Sequence, residues 1–338
     1  MDLVTGATGA LGMHIAAELL GAGRVVRGLC RIDSDRRLAE DFLARRLAGD
    51  AWRSRWSWRE GDILDGFSLE DALSGGVERV FHSAALVSFH PKDVAAMMAV
   101  NRDGTANLVN AMLHVGVPEL VHVSSVAALG RKAGEPVHEE TPYEEGPDVS
   151  PYGQSKHMAE REAWRGAAEG LKVLAVHPVI ILGEGNYERS AAALFDLVAR
   201  GIRWFPTGEN GFVSASDVAR ASLALAEAGA WEERFVLCSE NRSYKSILSA
   251  MATCFDLPLP NKPLRPWVMA MAWRLAALGE RLTGKRAVLT RHSVANTARV
   301  HHYESDKLQR FLPGWKYERM DDVIATTARA YRASQSRS

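Results

Sequence analysis

Tyr152 and Lys156 stand four residues apart in "SPYGQSK", a spacing that puts both side chains on one face of a helix. A free phenol titrates near pH 10, and a neighbouring ammonium favours its ionised form. Such a pair can exchange a proton near neutrality, the task of a general acid/base. Ser150 suits the N-cap of that helix and Pro151 its first position. Tyr-x-x-x-Lys arises by chance in many helices, so the surrounding sequence has to decide. Upstream, "LVHVSSVAALG" reads as a buried strand ending in Ser124 and Ser125. Such a strand would carry a hydroxyl to the sheet edge where ligands bind. Asn101, inside the otherwise helical "AVNRDGTANLV", could hold the site's hydrogen bonds together.

A second constellation opens the chain. "TGATGALG" follows "MDLV" directly, and its glycines Gly6, Gly9 and Gly12 would let a strand-to-helix turn approach a phosphate closely. The helix N-terminus beyond adds unpaired N–H groups. Thr5, Thr8, Ala10 and Leu11 complete this candidate turn, whose Gly-x-x-Gly-x-x-Gly spacing differs from the commoner Gly-x-Gly-x-x-Gly. In "VVRGLCR" an NAD site would place an acidic residue at the strand end, where Cys30 and Arg31 stand instead. A guanidinium fits a ribose 2′-phosphate, so NADP(H) is favoured over NAD(H), with Arg36 and Arg37 as helpers. Asp62 and Ile63 in "EGDILD" suit an adenine amino group and an apolar contact. Ser83, Ala84 and Ala85 in "FHSAALV" would let a cofactor pass over a strand tip.

These residues need elements to position them. Short apolar runs alternate with helical patterns: "DLV", Leu11 to Leu20, "RVVRGL", "VERVFHSAA", Val94 to Val115, "ELVHVSS", Tyr152 to Ala168, "LKVLAVHP". Alternation of this kind predicts βα units and a Rossmann-like, doubly wound parallel sheet of the α/β class. Residues 1–178 then form the NADP(H)-binding domain with the catalytic groups. Residues 179–331 form a smaller, mainly helical substrate-binding part. In it, "GIRWFPTGENGFVS" looks like a hairpin, the part is interleaved with late strands of the sheet, and about 205–228 return to the Rossmann domain. Residues 332–338 read as a frayed tail.

Composition excludes several classes. Of 338 residues, 47% are hydrophobic and 24% charged, and 41 Lys+Arg balance 41 Asp+Glu, so no net charge recruits nucleic acid or an anionic membrane. The arginine-rich stretch from Arg24 to Arg59, interleaved with Trp52, Trp56 and Trp58, carries offsetting acids and reads as a solvated face. Cys30, Cys238 and Cys254 lack metal-ligand spacing, so no metal is expected. With no room for a leader before the glycines, a cytoplasmic protein is expected. The apolar "PWVMAMAWRLAALG" from Pro266 is too short to span a membrane and reads as a buried or lid helix.

Taken in order, "TGATGALG", "GDILD", "HSAA", "NRDGTANLV", "SSVAALG", "YGQSK", "HPVIILGEG" and "FVSASDVARA" resemble the extended short-chain dehydrogenase/reductases. These belong to the NAD-dependent epimerase/dehydratase superfamily, and the motifs are most like dihydroflavonol reductase and 3β-hydroxysteroid dehydrogenase members. The likeness covers roughly Met1 to Ala228. It implies Tyr152 as general acid/base, Lys156 on the nicotinamide ribose and lowering the phenol's pKa, Ser125 on the reacting carbonyl, and Asn101 in a structural place. Val123 and the run His177, Pro178, Val179 and Ile180 would line the nicotinamide. A homodimer through the helices around Val94 to Val115 and Tyr152 to Ala168 is likewise implied.

Within that family the residues after Ser125 discriminate. Dehydratases carry an Asp-Glu pair where Val126 and Ala127 stand, and nucleotide-sugar epimerases usually carry an arginine that "GENGFVSASDVA" lacks. The expectation is therefore an NADP(H)-dependent oxidoreductase acting between a carbonyl and a secondary alcohol on a fairly hydrophobic small molecule. Val87, Phe89, Val126, Ala127, Asn186 and Tyr187 are candidate substrate contacts. The alternatives are an NAD-dependent nucleotide-sugar epimerase and a non-catalytic NADP-binding redox sensor.

Overall fold

The computed structural model describes all residues except 133, 147, 148, 188, 189, 266, 270, 272, 275–279, 281–296, 337 and 338. Its first half alternates strand and helix: β1 (Asp2–Thr5), α1 (Ala10–Gly21), β2 (Val26–Cys30), α2 (Arg37–Arg46), β3 (Trp56–Glu60), α3 (Gly66–Leu73), β4 (Arg79–His82). There follow α4 (Val94–Met98), a π-helical turn (Ala99–Asp103), α5 (Gly104–Val115), β5 (Glu119–Val123), α6 (Pro151–Ala168) and β6 (Lys172–Pro178). The second half holds β7 (Ile180–Leu182), α7 (Ala193–Ala199), β8 (Trp204–Pro206), β9 (Glu209–Ser214), α8 (Ala215–Glu227) and β10 (Glu233–Leu237). Last come β11 (Glu240–Ser243), α9 (Tyr244–Cys254), β12 (Lys262–Leu264), α10 (Asp306–Phe311) and α11 (Met320–Gln335).

Seven parallel strands form one sheet in the order β10-β6-β5-β4-β1-β2-β3. Neighbouring residues of a strand point to opposite faces, and here both faces are covered. Val4, Phe81, Val121 and Leu174 enter the core shared with α1, α2 and α8. Their neighbours Leu3, Val80, Leu120 and Val173 enter the core under α3, α5 and α6. Burial on both faces explains why these strands read as unbroken apolar runs. The chain reverses its direction of winding between β1 and β4, and an open sheet presents its ligand crevice at that switch, beyond the strands' carboxyl ends.

Three sequence expectations are corrected. "GIRWFPTGENGFVS" is not a hairpin: β8 pairs in parallel with β12, whereas β9 pairs with β7 and β11. Gly208 between them lies so close to the backbone of Thr297 and Arg299 that a Cβ would clash, so the chain is held by that segment. The predicted tail is helical to Gln335, because Tyr331 packs on Tyr187 and Phe255 and Arg332 pairs with Asp256 at 2.9 Å. The Val94 to Val115 helix is interrupted by its π-helical turn. In the apolar segment from Pro266, residues 275–279 fall outside the described set; Met269 is buried, and Trp267 and Met271 are exposed. Among the described residues no helix is long and apolar enough to cross a membrane, and no three metal-ligating side chains gather.

Candidate active site

At the β1–β4 switch, Gly6 turns the chain with a φ of +68°. A Cβ there would lie 2.8 Å from the Ala84 nitrogen, and one on Gly12 would lie 2.1 Å from the Gly6 carbonyl oxygen. These two glycines let the turn, α1 and the tip of β4 close on one another. Gly9 caps α1 without a side chain, so the first N–H groups, of Ala10, Leu11 and Gly12, face outward from the helix end without an intrahelical acceptor. Such a helix end fits a dinucleotide pyrophosphate. Gly185 packs the later "LGEG" loop on Ala10, where a Cβ would come within 2.5 Å.

Thr5 and Ser83 spend their hydroxyls on structure. Thr5 Oγ1 meets His82 Nδ1 at 2.7 Å and accepts from the Ala84 N–H, and Ser83 Oγ donates to the Thr5 carbonyl at 2.8 Å. Thr8 is half-buried and Ala85 exposed. Asp62 accepts from the Leu64 N–H at 2.9 Å, and Ile63 wedges against Gly104. Arg31 is 63% exposed and meets Asp33 at 3.4 Å. Arg36 is paired with Glu60 at 2.5 Å and lies over Trp58, while Arg37 pairs with Asp35.

The residues expected to handle the proton converge at the end of β5. Ser150 caps α6, accepting from the Gly153 N–H at 3.0 Å, with Pro151 in the first turn. Tyr152 lies under Phe89, ring centroids 6.0 Å apart, with the Ser125 hydroxyl near enough to its phenol to pull the phenol's pKa down. Ser125 caps the short turn Val126–Ala128, while Ser124 is buried and donates to Glu160 at 2.6 Å. Of the two serines, only Ser125 is turned to the phenol. Lys156 Nζ donates to the Val123 carbonyl at 2.7 Å. Burial lowers its pKa from 10.5 to about 8, against the influence of Glu160.

The phenol departs from expectation. Burial pushes the pKa of Tyr152 up, and the pull downward comes from Ser125. Lys156, whose Nζ donates to the Val123 carbonyl, is not among the influences on the phenol. Asn101 Nδ2 donates to the Leu86 carbonyl at 3.0 Å and to Ser155 Oγ at 2.8 Å, and its Oδ1 accepts from the Leu86 N–H at 2.8 Å. The π-helical turn therefore fastens the loop carrying Phe89 to α6.

Other candidates lie elsewhere. The His177 ring is fully buried and bonded to Glu160 at 2.7 Å, so its side chain is withdrawn from any ligand at the strand tips. Pro178, Val179 and Ile180 continue along β6 into β7, Val179 buried. Val126 is in the core and Ala127 abuts Gly153. Val87 is 50% exposed and Asn186 is exposed. Tyr187 packs edge-on against Phe195 and Tyr331 and donates to the Thr327 carbonyl at 3.4 Å. Its contacts are thus with α7 and α11, a correction to its reading as a substrate contact.

Sequence reasoning missed a buried polar file beneath the site. His82 on β4 meets Thr105 Oγ1 at 3.0 Å, and His122 beside it on β5 has no hydrogen-bond partner on either ring nitrogen. Burial holds both imidazoles neutral, His82 with its pKa lowered to about 3. Glu160, one turn beyond Lys156, is the other omission; its position four residues on was a signal available in the sequence.

The model of the NAD dependent epimerase/dehydratase family matches residues 3–238. The chain is 31% identical over 272 residues to sterol demethylase protein B of Methylococcus capsulatus, covering 79% of this chain and 78% of that protein. It is 30% identical over 282 residues to a putative dihydroflavonol 4-reductase of Synechocystis, covering 80% and 77%. Its fold superposes with a TM-score of 0.77 on PA4631, a nucleoside-diphosphate-sugar epimerase from Pseudomonas aeruginosa, at 25% identity over 98% of this chain and 97% of that one.

Proposed function

Because this chain belongs to the NAD-dependent epimerase/dehydratase family of enzymes, we propose that it is an NADP(H)-dependent reductase/dehydrogenase interconverting a carbonyl and a secondary alcohol on a largely apolar small molecule. The observation that carries this reading is the placement of the Ser125 hydroxyl beside the Tyr152 phenol beneath Phe89, at the sheet edge shared with the glycine turn. A phenol whose pKa is raised stays protonated, as a proton donor to a forming alcohol must.

The turn of Gly6, Gly9 and Gly12 would hold the pyrophosphate. Arg31 would face a 2′-phosphate and Asp62 with Ile63 the adenine. Ser83 to Ala85, Val123 and the main chain of His177 to Ile180 would flank the nicotinamide. When bound, that group supplies or accepts the hydride. In the reducing direction Ser125 donates a hydrogen bond to the substrate carbonyl oxygen, and Tyr152 gives its phenolic proton to the same oxygen as the C–O bond becomes single. Lys156 keeps a positive charge below the site. Solvent then reprotonates the tyrosinate.

Carbonyl-dependent NADPH oxidation, lost by at least about a hundredfold in Tyr152→Phe, tests this; unchanged turnover in that variant refutes it. The family also contains epimerases, and a nucleotide-sugar epimerase would instead purify with NAD and bind a UDP-sugar. The segment "GENGFVSASDVA", which runs through β9 into α8, has no arginine to serve a diphosphate, which favours the reductase. A non-catalytic sensor has no use for the Ser125–Tyr152 pair. The reading includes a cytoplasmic homodimer built on α5 and α6, to be checked by sedimentation.

A further inference from the structure

Glu160 is 4% exposed and yet has four polar partners. Ser124 Oγ donates at 2.6 Å and Trp164 Nε1 at 3.0 Å. His177 Nε2 lies 2.7 Å away and Arg234 Nε 3.1 Å. These come from the end of β5, from α6, from β6 and from β10. Ser124 immediately precedes Ser125, and Lys156 lies one helical turn before Glu160. One buried carboxylate is thus tied to both sides of the Ser125–Tyr152–Lys156 group while touching none of the space a substrate would fill.

We propose that Glu160 is a positioning residue: its buried charge keeps Lys156 an ammonium on the Val123 carbonyl and, through Ser124, fixes the β5 terminus so that Ser125 faces Tyr152. The proposal rests on the reductase reading above for its catalytic consequence.

The charges around Lys156 support it. His82 from β4 and His122 from β5 both face the lysine, and burial holds both neutral, so neither adds a second positive charge beside it. Burial disfavours the ammonium, and Glu160 is the opposing influence. Burial alone would raise the pKa of Glu160 as well, but His177, Ser124 and Trp164 pull it below the usual carboxylate range. Arg234, 43% exposed at the rim, and His157, half-buried on α6, face the same carboxylate. A glutamine could not serve all four partners, since it has one acceptor oxygen and no charge.

Glu160→Gln preserves size and removes the charge. In a carbonyl-reducing assay with NADPH, the alkaline fall in kcat should move down by about one pH unit. In the folded protein without nucleotide, 13Cε-lysine NMR should show the Lys156 midpoint, assigned by its absence in Lys156→Met, moving down likewise. Arg234→Gln removes a positive charge from the partly exposed rim and should move both midpoints up. A folded Glu160→Gln protein with both midpoints at wild-type values overturns the proposal. If that variant does not fold, an unchanged or lowered midpoint in Arg234→Gln overturns it. The NMR titration needs no turnover, so a wild-type protein without carbonyl reduction defeats the reductase reading while Lys156 still decides the role of Glu160.

Discussion

Lys156 Nζ stands 2.7 Å from the carbonyl oxygen of Val123, the last residue of β5. The bond joins α6 to the end of a central strand and places a charge where the residue is 3% exposed. Burial lowers the ammonium's pKa from 10.5 to about 8, so the folded chain gives up this proton before the unfolded chain does. Between those values the unfolded state binds more protons, and stability rises with pH; below about 8 both states are charged and the full penalty, about 3 kcal/mol, stands. Lys156→Met should remove this rise. In urea unfolding, wild type should gain about 2 kcal/mol on the variant between about pH 7.5 and 9.5. A difference that stays flat across that interval contradicts the burial of a charged lysine.

Asn101 makes three hydrogen bonds from within the π-helical turn, two to the main chain of Leu86 and one to Ser155. Asn101→Ala leaves a main-chain N–H and carbonyl without these partners in a partly buried place, a loss of about 2 kcal/mol in urea unfolding. Because Leu86 leads to Phe89, which packs on Tyr152, kcat should fall together with stability. A variant as stable as wild type shows that solvent replaces these bonds.

The alternation of apolar strands with helices was legible because strands buried on both faces leave unbroken hydrophobic runs, as Leu120 and Val121 do on the two sides of β5. The α6 start was legible from Ser150 and Pro151, whose chemistry is local. The β8 and β9 pairings were not, because β12 and the segment around Arg299 are distant in sequence and their approach to Gly208 leaves no local trace. His177 illustrates the same limit within the site. Its place in "HPVIILGEG" suggested a ligand contact, but strand parity turned the ring toward α6 and Glu160. Tyr187 followed the aromatic cluster of Phe195 and Tyr331, which only tertiary packing assembles.

Gly12 tests the proposed phosphate turn without touching Ser125, Tyr152 or Lys156. A Cβ there would lie 2.1 Å from the Gly6 carbonyl oxygen and 2.9 Å from the Ala7 Cα, and backbone on both sides cannot yield as a flexible side chain would. Gly12→Ala should displace the turn from α1 and weaken NADPH and NADH alike, each by at least about tenfold in titration calorimetry. Binding at wild-type strength means that the dinucleotide does not use the turn.

Arg31 is the residue proposed to separate the two cofactors. It follows Cys30 at the end of β2, is 63% exposed, and its ion-pair contact with Asp33 is a 3.4 Å approach between two exposed side chains, the kind worth little in water. A guanidinium so placed can leave Asp33 for a phosphate at small cost, whereas Arg36 is engaged by Glu60 and Trp58. Arg31→Ala removes a charge-assisted contact that only the 2′-phosphate can make, worth about 1.5–3 kcal/mol. NADPH should therefore weaken by about ten- to a hundredfold, with NADH changed less than about twofold because its 2′-hydroxyl offers no charge. Raising the salt concentration should weaken wild-type NADPH binding more than that of the variant, since screening acts on the pair the variant lacks. Equal weakening of both nucleotides would assign Arg31 to the fold around β2 and leave the preference for NADP(H) without its residue.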